Sequence, residues 1–268
     1  MNLICPICEA SLERKDNIYR CHNKHSFDIA RQGYVNLLAV QQKHSLNPGD
    51  TRQQVIARRA FLSEGFYSPI AEALKTAAAQ LGAHGPILDI GCGEGYYSTQ
   101  LAQAMNAELI GIDISKEAVR CAAGKYKNAC WLCATASHLP IKSESIGTLT
   151  SLFALTIPGE FFRVLKPTGL YLQVIAAEDH LMGLKSIIYP ELIQKEKNVK
   201  PEVEGFTNIE SIPIQFSFTV RDAQVQNLLS MTPHAHRITK EGAERIGATK
   251  VLTDKASCIL NIYKPNKS

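Results

Sequence analysis

Cys5, Cys8, Cys21 and His25 stand near the start of the chain in the spacing C-x2-C-x12-C-x3-H. Thiolates and an imidazole at such intervals suit one tetrahedral zinc ion, with two knuckles each supplying two ligands. A second constellation follows at residues 87–96, Ile-Leu-Asp-Ile-Gly-Cys-Gly-Glu-Gly-Tyr. Gly91, Gly93 and Gly95 at a strand–helix turn let a cofactor come close to backbone N–H groups. A dinucleotide fingerprint would read G-x-G-x-x-G and set a pyrophosphate on the helix N-terminus. Here the pattern is G-x-G-x-G, and the carboxylates of Asp89 and Glu94 would oppose phosphate. They suit a cofactor without phosphates and with a positive centre. Asp113, closing the next strand, is placed to accept hydrogen bonds from both hydroxyls of a ribose.

These groups need a scaffold, and the sequence supplies an alternating one. Pro86–Ile90, Glu108–Asp113, Cys130–Thr135, Ile146–Leu155 and Leu170–Ala177 read as strands. Tyr96–Met105, Lys116–Lys125 and Pro158–Leu165 read as the helices between them, the last ended by Lys166-Pro167-Thr168-Gly169. That alternation predicts a parallel sheet covered on both faces. Ahead of it, residues 51–66 and Pro69–Leu81 read as helices. Behind it, Ile214–Val220 and Cys258–Lys264 read as late strands around a helix at Asp222–Leu229. The expected division is a zinc-binding module at 1–35, a linker and helices at 36–84, and the α/β domain at 85–268. Below roughly 40 residues a module usually needs a metal or disulfides to fold. Removal of the module is expected to leave the large domain folded. Cys130-Trp131-Leu132-Cys133 is a C-x-x-C, but in a strand residues i and i+3 face opposite sides, so two packed thiols are expected there.

Length and composition agree with a globular chain. The 268 residues are 45% hydrophobic and 20% charged, ordinary for a globular chain. No apolar run approaches a membrane-spanning helix, and the first residues run straight into the cysteines, unlike a signal peptide. A cytoplasmic, reducing setting is expected, in which eight cysteines mean zinc ligands and buried thiols. A net charge of +4 permits a nucleic-acid partner without requiring one. Arg14, Lys15, Arg20 and Lys24 form one basic group, and Lys43, Arg52, Arg58 and Arg59 another.

The glycine loop with Asp89, the second acid Asp113, the Ser137-His138-Leu139-Pro140 segment and the later Lys-Pro-Thr-Gly turn resemble class I S-adenosylmethionine methyltransferases. Over nearly its whole length the chain is similar to the zinc-containing 23S rRNA (guanine-N1)-methyltransferases. The shared pieces are Cys5-Pro6-Ile7-Cys8, His25-Ser26-Phe27-Asp28, Gly33 to Leu38, Asn47-Pro48-Gly49-Asp50, Arg58 to Leu62, Asp89 to Tyr97, His180-Leu181-Met182 and Met231-Thr232-Pro233. The resemblance implies a Rossmann-like class I methyltransferase domain with an N-terminal zinc module. It implies Zn2+ on Cys5, Cys8, Cys21 and His25, and a pocket for S-adenosylmethionine to which Tyr67, Tyr96, Tyr97, Ser98 and His180 contribute. It places Ser137 near the adenine. It also implies a homodimer that methylates a guanine in a hairpin loop of 23S rRNA.

The chain departs from that pattern at Ala154-Leu155, where relatives carry Ala-Pro, at His234 and His236, where relatives carry aromatics, and at Thr168, where relatives carry glycine. Guanine N1 bears a proton, so the reaction needs an acceptor. His138, Glu160, Asp179 and His180 are the candidates, with none assigned. Two other readings stay open at this point: a small-molecule methyltransferase with a structural zinc module, and an RNA-binding relative without catalysis.

Overall fold

The computed structural model describes residues 2–39, 48–192 and 198–267. Four short strands open the chain: β1 (Glu13–Lys15), β2 (Ile18–Arg20), β3 (Ser26–Asp28) and β4 (Tyr34–Asn36). The first three form an antiparallel meander. Most of the expected linker, residues 40–47, lies outside the described residues. The helix α1 (Arg52–Ser63) begins on a capping box: Thr51 accepts from Gln54 N–H, and the Gln54 side chain accepts from Thr51 N–H. Reciprocal capping satisfies donors that a helix start otherwise leaves open. A second helix, α2 (Ser68–Gln80), carries proline in its first turn.

The alternating region is β5 (Ile87–Ile90), α3 (Tyr96–Met105), β6 (Leu109–Asp113), α4 (Lys116–Lys125), β7 (Cys130–Cys133), β8 (Ile146–Leu152), α5 (Pro158–Val164) and β9 (Leu165–Ala176). Then come α6 (Met182–Ile188), β10 (Phe206–Arg221), α7 (Ala223–Ser230), a 3-10 turn at Pro233–His236, α8 (Lys240–Ala248) and β11 (Val251–Pro265). Three expectations change in detail. The fourth strand stops at Leu152, because Phe153 turns to a φ of 54°. The Lys-Pro-Thr-Gly segment does not precede the fifth strand but bulges inside it, where pairing jumps from Ile146↔Leu165 to Thr148↔Leu170. The two late strands are 16 and 15 residues long, and pair with each other along their lengths.

The large sheet has the order β10-β11-β9-β8-β5-β6-β7-β4. β11 is antiparallel to both neighbours, and the other pairings are parallel. Strands build outward in opposite directions from the β5–β8 pair. The crevice beyond their carboxyl ends is therefore the switch point, where such sheets bind ligands.

The zinc module is part of this architecture. β4 is an edge strand of the large sheet, pairing Tyr34, Val35 and Asn36 with Trp131, Leu132 and Cys133. The boundary drawn at residue 35 thus falls inside a strand. One sheet face presents Ile87, Leu109, Trp131 and Cys133 to α2, α3 and α4. The other presents Leu88, Ile90, Ile110, Ile112, Cys130 and Leu132, and these share one core with Leu3, Cys5, Leu12, Tyr19 and Cys21. No helix lies in the β7–β8 connection, residues 134–145. The metal module fills that place, fixed by the Ile4 N–H to the Pro140 carbonyl (3.0 Å) and the Lys142 N–H to the Asn2 carbonyl (2.8 Å). This shared core argues against the expectation that the large domain stands without the module, since stripping it would expose a continuous apolar face. Cys130 and Cys133 fall in cores on opposite faces, as strand alternation requires.

Candidate active site and metal centre

The four metal-type ligands come together. Ligand atoms of Cys5, Cys8, Cys21 and His25 lie within 4.8 Å of one another. Zn–S bonds of about 2.3 Å and a Zn–N bond of about 2.05 Å in a tetrahedron require S···S near 3.8 Å and S···N near 3.6 Å. The observed separations are 3.7 Å for Cys8–Cys21 and 3.5 Å from His25 Nδ1 to each of Cys5 and Cys21. The donor set and its spacing fit zinc, with Nδ1 as the imidazole ligand. The knuckles supply the geometry: the Glu9 N–H bonds to the Cys5 carbonyl at 2.8 Å, and Lys24, at a φ of 68°, bonds back to the Cys21 carbonyl at 3.0 Å.

At the switch point, β5 delivers Asp89 and the loop Gly91–Gly95. Asp89 is buried and accepts the Thr150 hydroxyl of the neighbouring strand at 2.7 Å. Burial pushes its carboxyl up to about 6, so a cation placed beside it would restore the charged form. The three loop glycines have φ between 56° and 81°. Two also admit no side chain: a Cβ on Gly91 would sit 2.6 Å from that of Ala154, and one on Gly95 would sit 2.6 Å from the Trp131 indole. Trp131 therefore forms the floor of the loop, its Nε1–H fixed on the Tyr126 carbonyl at 2.8 Å. Asp113 accepts from Gly93 N–H at 2.9 Å and Ser115 N–H at 2.8 Å, which pins the loop to the end of β6.

A pocket beside the loop is lined by Tyr67, Asp89, Gly91, Gly93, Tyr96 and Tyr97. It measures about 40 Å³, room for a few waters. Arg58, Tyr67, Phe153 and Met231 are shared with an adjoining cavity of about 1230 Å³, whose walls include Asp179, His180, Lys185, Tyr189, His234 and His236. A nucleoside must draw on this larger space. Burial pushes the Tyr67 phenol up, and its hydroxyl lies 3.5 Å from His180 Nε2. His180 Nδ1 is held by Ser257, 3.1 Å from its N–H and 3.0 Å from its carbonyl.

Gly95, Ser98 and Asp113 do not line either space. Ser137 is exposed, bonded to Thr135 at 2.9 Å, and also lies outside both. Among the candidate proton acceptors, Asp179 and His180 line the cavity. Glu160 is instead tied down by Arg163 (2.7 Å) and the Leu139 N–H (2.6 Å), while His138 is exposed beside Ser137. Two of the departures from the expected pattern, His234 and His236, line the cavity. His234 Nδ1 lies 2.8 Å from the Tyr189 hydroxyl, and His236 Nε2 lies 2.9 Å from Gln54. Leu155 projects outward, 76% exposed.

The donor set around the loop fits S-adenosylmethionine. Both Glu94 carboxylate oxygens and Arg58 Nε are buried beside the small pocket without a hydrogen-bond partner among the described residues. Lys125 stands 3.7 Å from Glu94. A ligand with an ammonium, a carboxylate and hydroxyls supplies the complementary groups.

Residues 3–46 match the family model described as RlmA, N-terminal, and residues 87–169 match that of a methyltransferase domain. A 23S rRNA (guanine(748)-N(1))-methyltransferase of Streptomyces fradiae is 39% identical over 187 residues, 68% of this chain and 66% of that one. A protein of Micromonospora griseorubida carrying the 23S rRNA (guanine-N(1)-)-methyltransferase name is 36% identical over 204 residues, 68% of each chain. The chain belongs to the 23S rRNA (guanine-N1)-methyltransferase family. Another bearer of the family name, Bacillus subtilis YxjB, is 29% identical over 88% of each chain. The match to the first two relatives spans about two thirds of their length. Membership accounts for a metal module and a methyltransferase fold in one chain. Trp131 is the site residue that the motifs did not reveal, because it reaches the loop from β7; Arg58 and Met231 stand in shared motifs that gave them no role at the loop.

Proposed function

We propose that this chain transfers the methyl group of S-adenosylmethionine to N1 of a guanine in a hairpin loop of 23S rRNA. Family membership supports the reading. The observation that carries it is the open cavity of about 1230 Å³ sharing a wall with the glycine-loop pocket. A base turned out of an RNA loop needs such a chamber beside the methyl donor.

When bound, S-adenosylmethionine supplies an electrophilic methyl carbon on a sulfonium. The chain's own work is then positioning and exclusion of water. Gly91 and Gly93 leave room for the methionine end, Asp89 faces its ammonium, and Asp113 holds the loop through the Gly93 N–H. Phe153 stands at the junction of the two spaces, half-exposed, with its ring 6.0 Å from that of His180. It offers a surface on which a base can stack. Of the four candidate acceptors, Asp179 and His180 border the chamber, and either can take the N1 proton.

The metal on Cys5, Cys8, Cys21 and His25 holds the module in shape, and the exposed Arg14, Lys15, Arg20 and Lys24 are cations that it offers to RNA phosphates. None of the described helices is long and apolar enough to cross a membrane. Action on ribosomal RNA supports a cytoplasmic setting, and the family resemblance supports a homodimer, which light scattering on the purified protein would check. The deciding experiment maps methylated nucleotides by mass in 23S rRNA from cells with and without the protein. A 1-methylguanosine lost from a hairpin loop on deletion, and restored in vitro by purified protein, is the expected result. Unchanged rRNA, with methyl groups found only on small molecules, would overturn the reading.

A further inference from the structure

Arg58 stands where the two spaces meet. It projects from the middle of α1, and its Cδ lies 3.8 Å from where a Cβ on Gly93 would be. Among the described residues lining the glycine-loop pocket it is the only cation, facing two acids, Asp89 and Glu94. One guanidinium nitrogen is committed: Nη2 donates to Asp50 at 2.6 Å and to the Met231 carbonyl at 3.3 Å. Asp50 is fixed in turn, because its carbonyl accepts the Ser115 hydroxyl at 2.6 Å. Nε, by contrast, is buried and has no hydrogen-bond partner among the described residues. A buried guanidinium N–H left open is costly unless a ligand completes it.

The pocket thus carries the charge pattern of an α-amino acid in reverse. A buried carboxylate, Asp89, suits an ammonium, and a braced guanidinium suits a carboxylate. We propose that Arg58, held in place by Asp50 and the Met231 carbonyl, is the anchor for the carboxylate of the cofactor's methionine end. This rests on S-adenosylmethionine being the methyl donor. Arg58 thereby discriminates the complete cofactor from nucleosides that share its adenosine and sulfur but lack the carboxylate.

The test is calorimetric binding of S-adenosylmethionine, decarboxylated S-adenosylmethionine and 5′-methylthioadenosine to the full chain. The unmodified protein should favour S-adenosylmethionine over its decarboxylated analogue by about 10- to 100-fold, the range for one charge-assisted hydrogen-bonded contact. In Arg58→Gln that preference should collapse to a few-fold, through weaker binding of S-adenosylmethionine alone. Binding of 5′-methylthioadenosine should stay as it was, which shows that the pocket is intact. If the Gln variant does not fold, Arg58→Lys carries the same test, since it keeps the charge opposite Asp50 and removes the Nε donor; the preference should fall there too. Preference surviving in the variants, or all three ligands weakening together, would overturn the role of Arg58 while leaving the methyl donor as read. An unmodified protein that binds none of the three would overturn the donor reading, and the proposal with it.

Discussion

Two glycines lie against the same indole, and they should respond differently when that indole is cut back. A methyl group on Gly111 would run into the six-membered ring of Trp131, while the Gly111 backbone is ordinary strand. A methyl on Gly95 would come 2.6 Å from the same ring and would also sit at a φ of 81°. Gly111→Ala should therefore cost the overpacking penalty alone, about 1–3 kcal/mol. Gly95→Ala should cost that plus about 1–2 kcal/mol for a left-handed residue with a side chain. Trp131→Phe removes the offending atoms at its own expense, a void and the lost bond to the Tyr126 carbonyl. Combined with Gly111→Ala it should be less damaging than the sum of the two changes, with a coupling of about 1–3 kcal/mol. Combined with Gly95→Ala the rescue should stop short by the backbone share, about 1–2 kcal/mol. Urea unfolding followed by circular dichroism gives all five stabilities. Additivity within about 0.5 kcal/mol at Gly111, or equal rescue at both positions, would refute the view of Trp131 as the floor of the loop.

Loss of metal should reach the whole molecule: Cys21→Ala or chelation should release one zinc and lower global stability by about 4 kcal/mol or more. Trp131 is the sole tryptophan and lies in the large sheet, so its fluorescence reports that domain; a melt unmoved after zinc release would show the module to be independent. Asp89 offers a pH test. Its folded carboxyl, raised from 3.8 to about 6, binds a proton more tightly than in the unfolded chain, so it penalises folding above pH 6, and the penalty disappears as pH falls toward 4. Asp89→Asn should thus stabilise the ligand-free protein by up to about 3 kcal/mol at pH 8 and hardly at all at pH 4; equal effects at both pH values would count against the assignment. Replacing Arg14, Lys15, Arg20 and Lys24 by Ala should reduce the slope of log affinity for the rRNA hairpin against log salt by about 3. An unchanged slope in fluorescence anisotropy would move the phosphate contacts elsewhere.

Legibility of the sequence followed the range of the interactions. α3 and α4 begin and end where the pattern places them, since both start directly after recognisable turns and bury a regular stripe. The metal ligands and glycine loop were legible because their chemistry is written in local spacing. Distant partners were not. α6 is capped by the Asp254 carboxylate, which accepts from the Gly183 and Leu184 N–H groups at 2.9 and 2.7 Å, about seventy residues away. α8 has its own cap, Thr239 accepting from Gly242 N–H, yet it contains Gly242 and Gly247, and glycine is a weak helix former. Gly242 is small because the Ile188 carbonyl of α6 presses on it. At the site, Arg58 and Met231 arrive from α1 and from the end of α7, and no spacing along the chain announces their meeting beside Gly93.

The edge strand β4 also sets an order of assembly. Residues 5–25 contain every ligand of the metal site, so the ion can be captured as soon as that short stretch exists. Tyr34–Asn36, however, must wait for Trp131–Cys133, and Leu3 for Ile141. At about 5–20 residues per second, roughly 100 further residues mean on the order of 5–20 s of synthesis. During that interval the metal-stapled hairpins hold an apolar face with nothing yet to cover. The zinc site thus acts as a holding state on the growing chain, keeping the first residues native-like until the sheet they complete has been made.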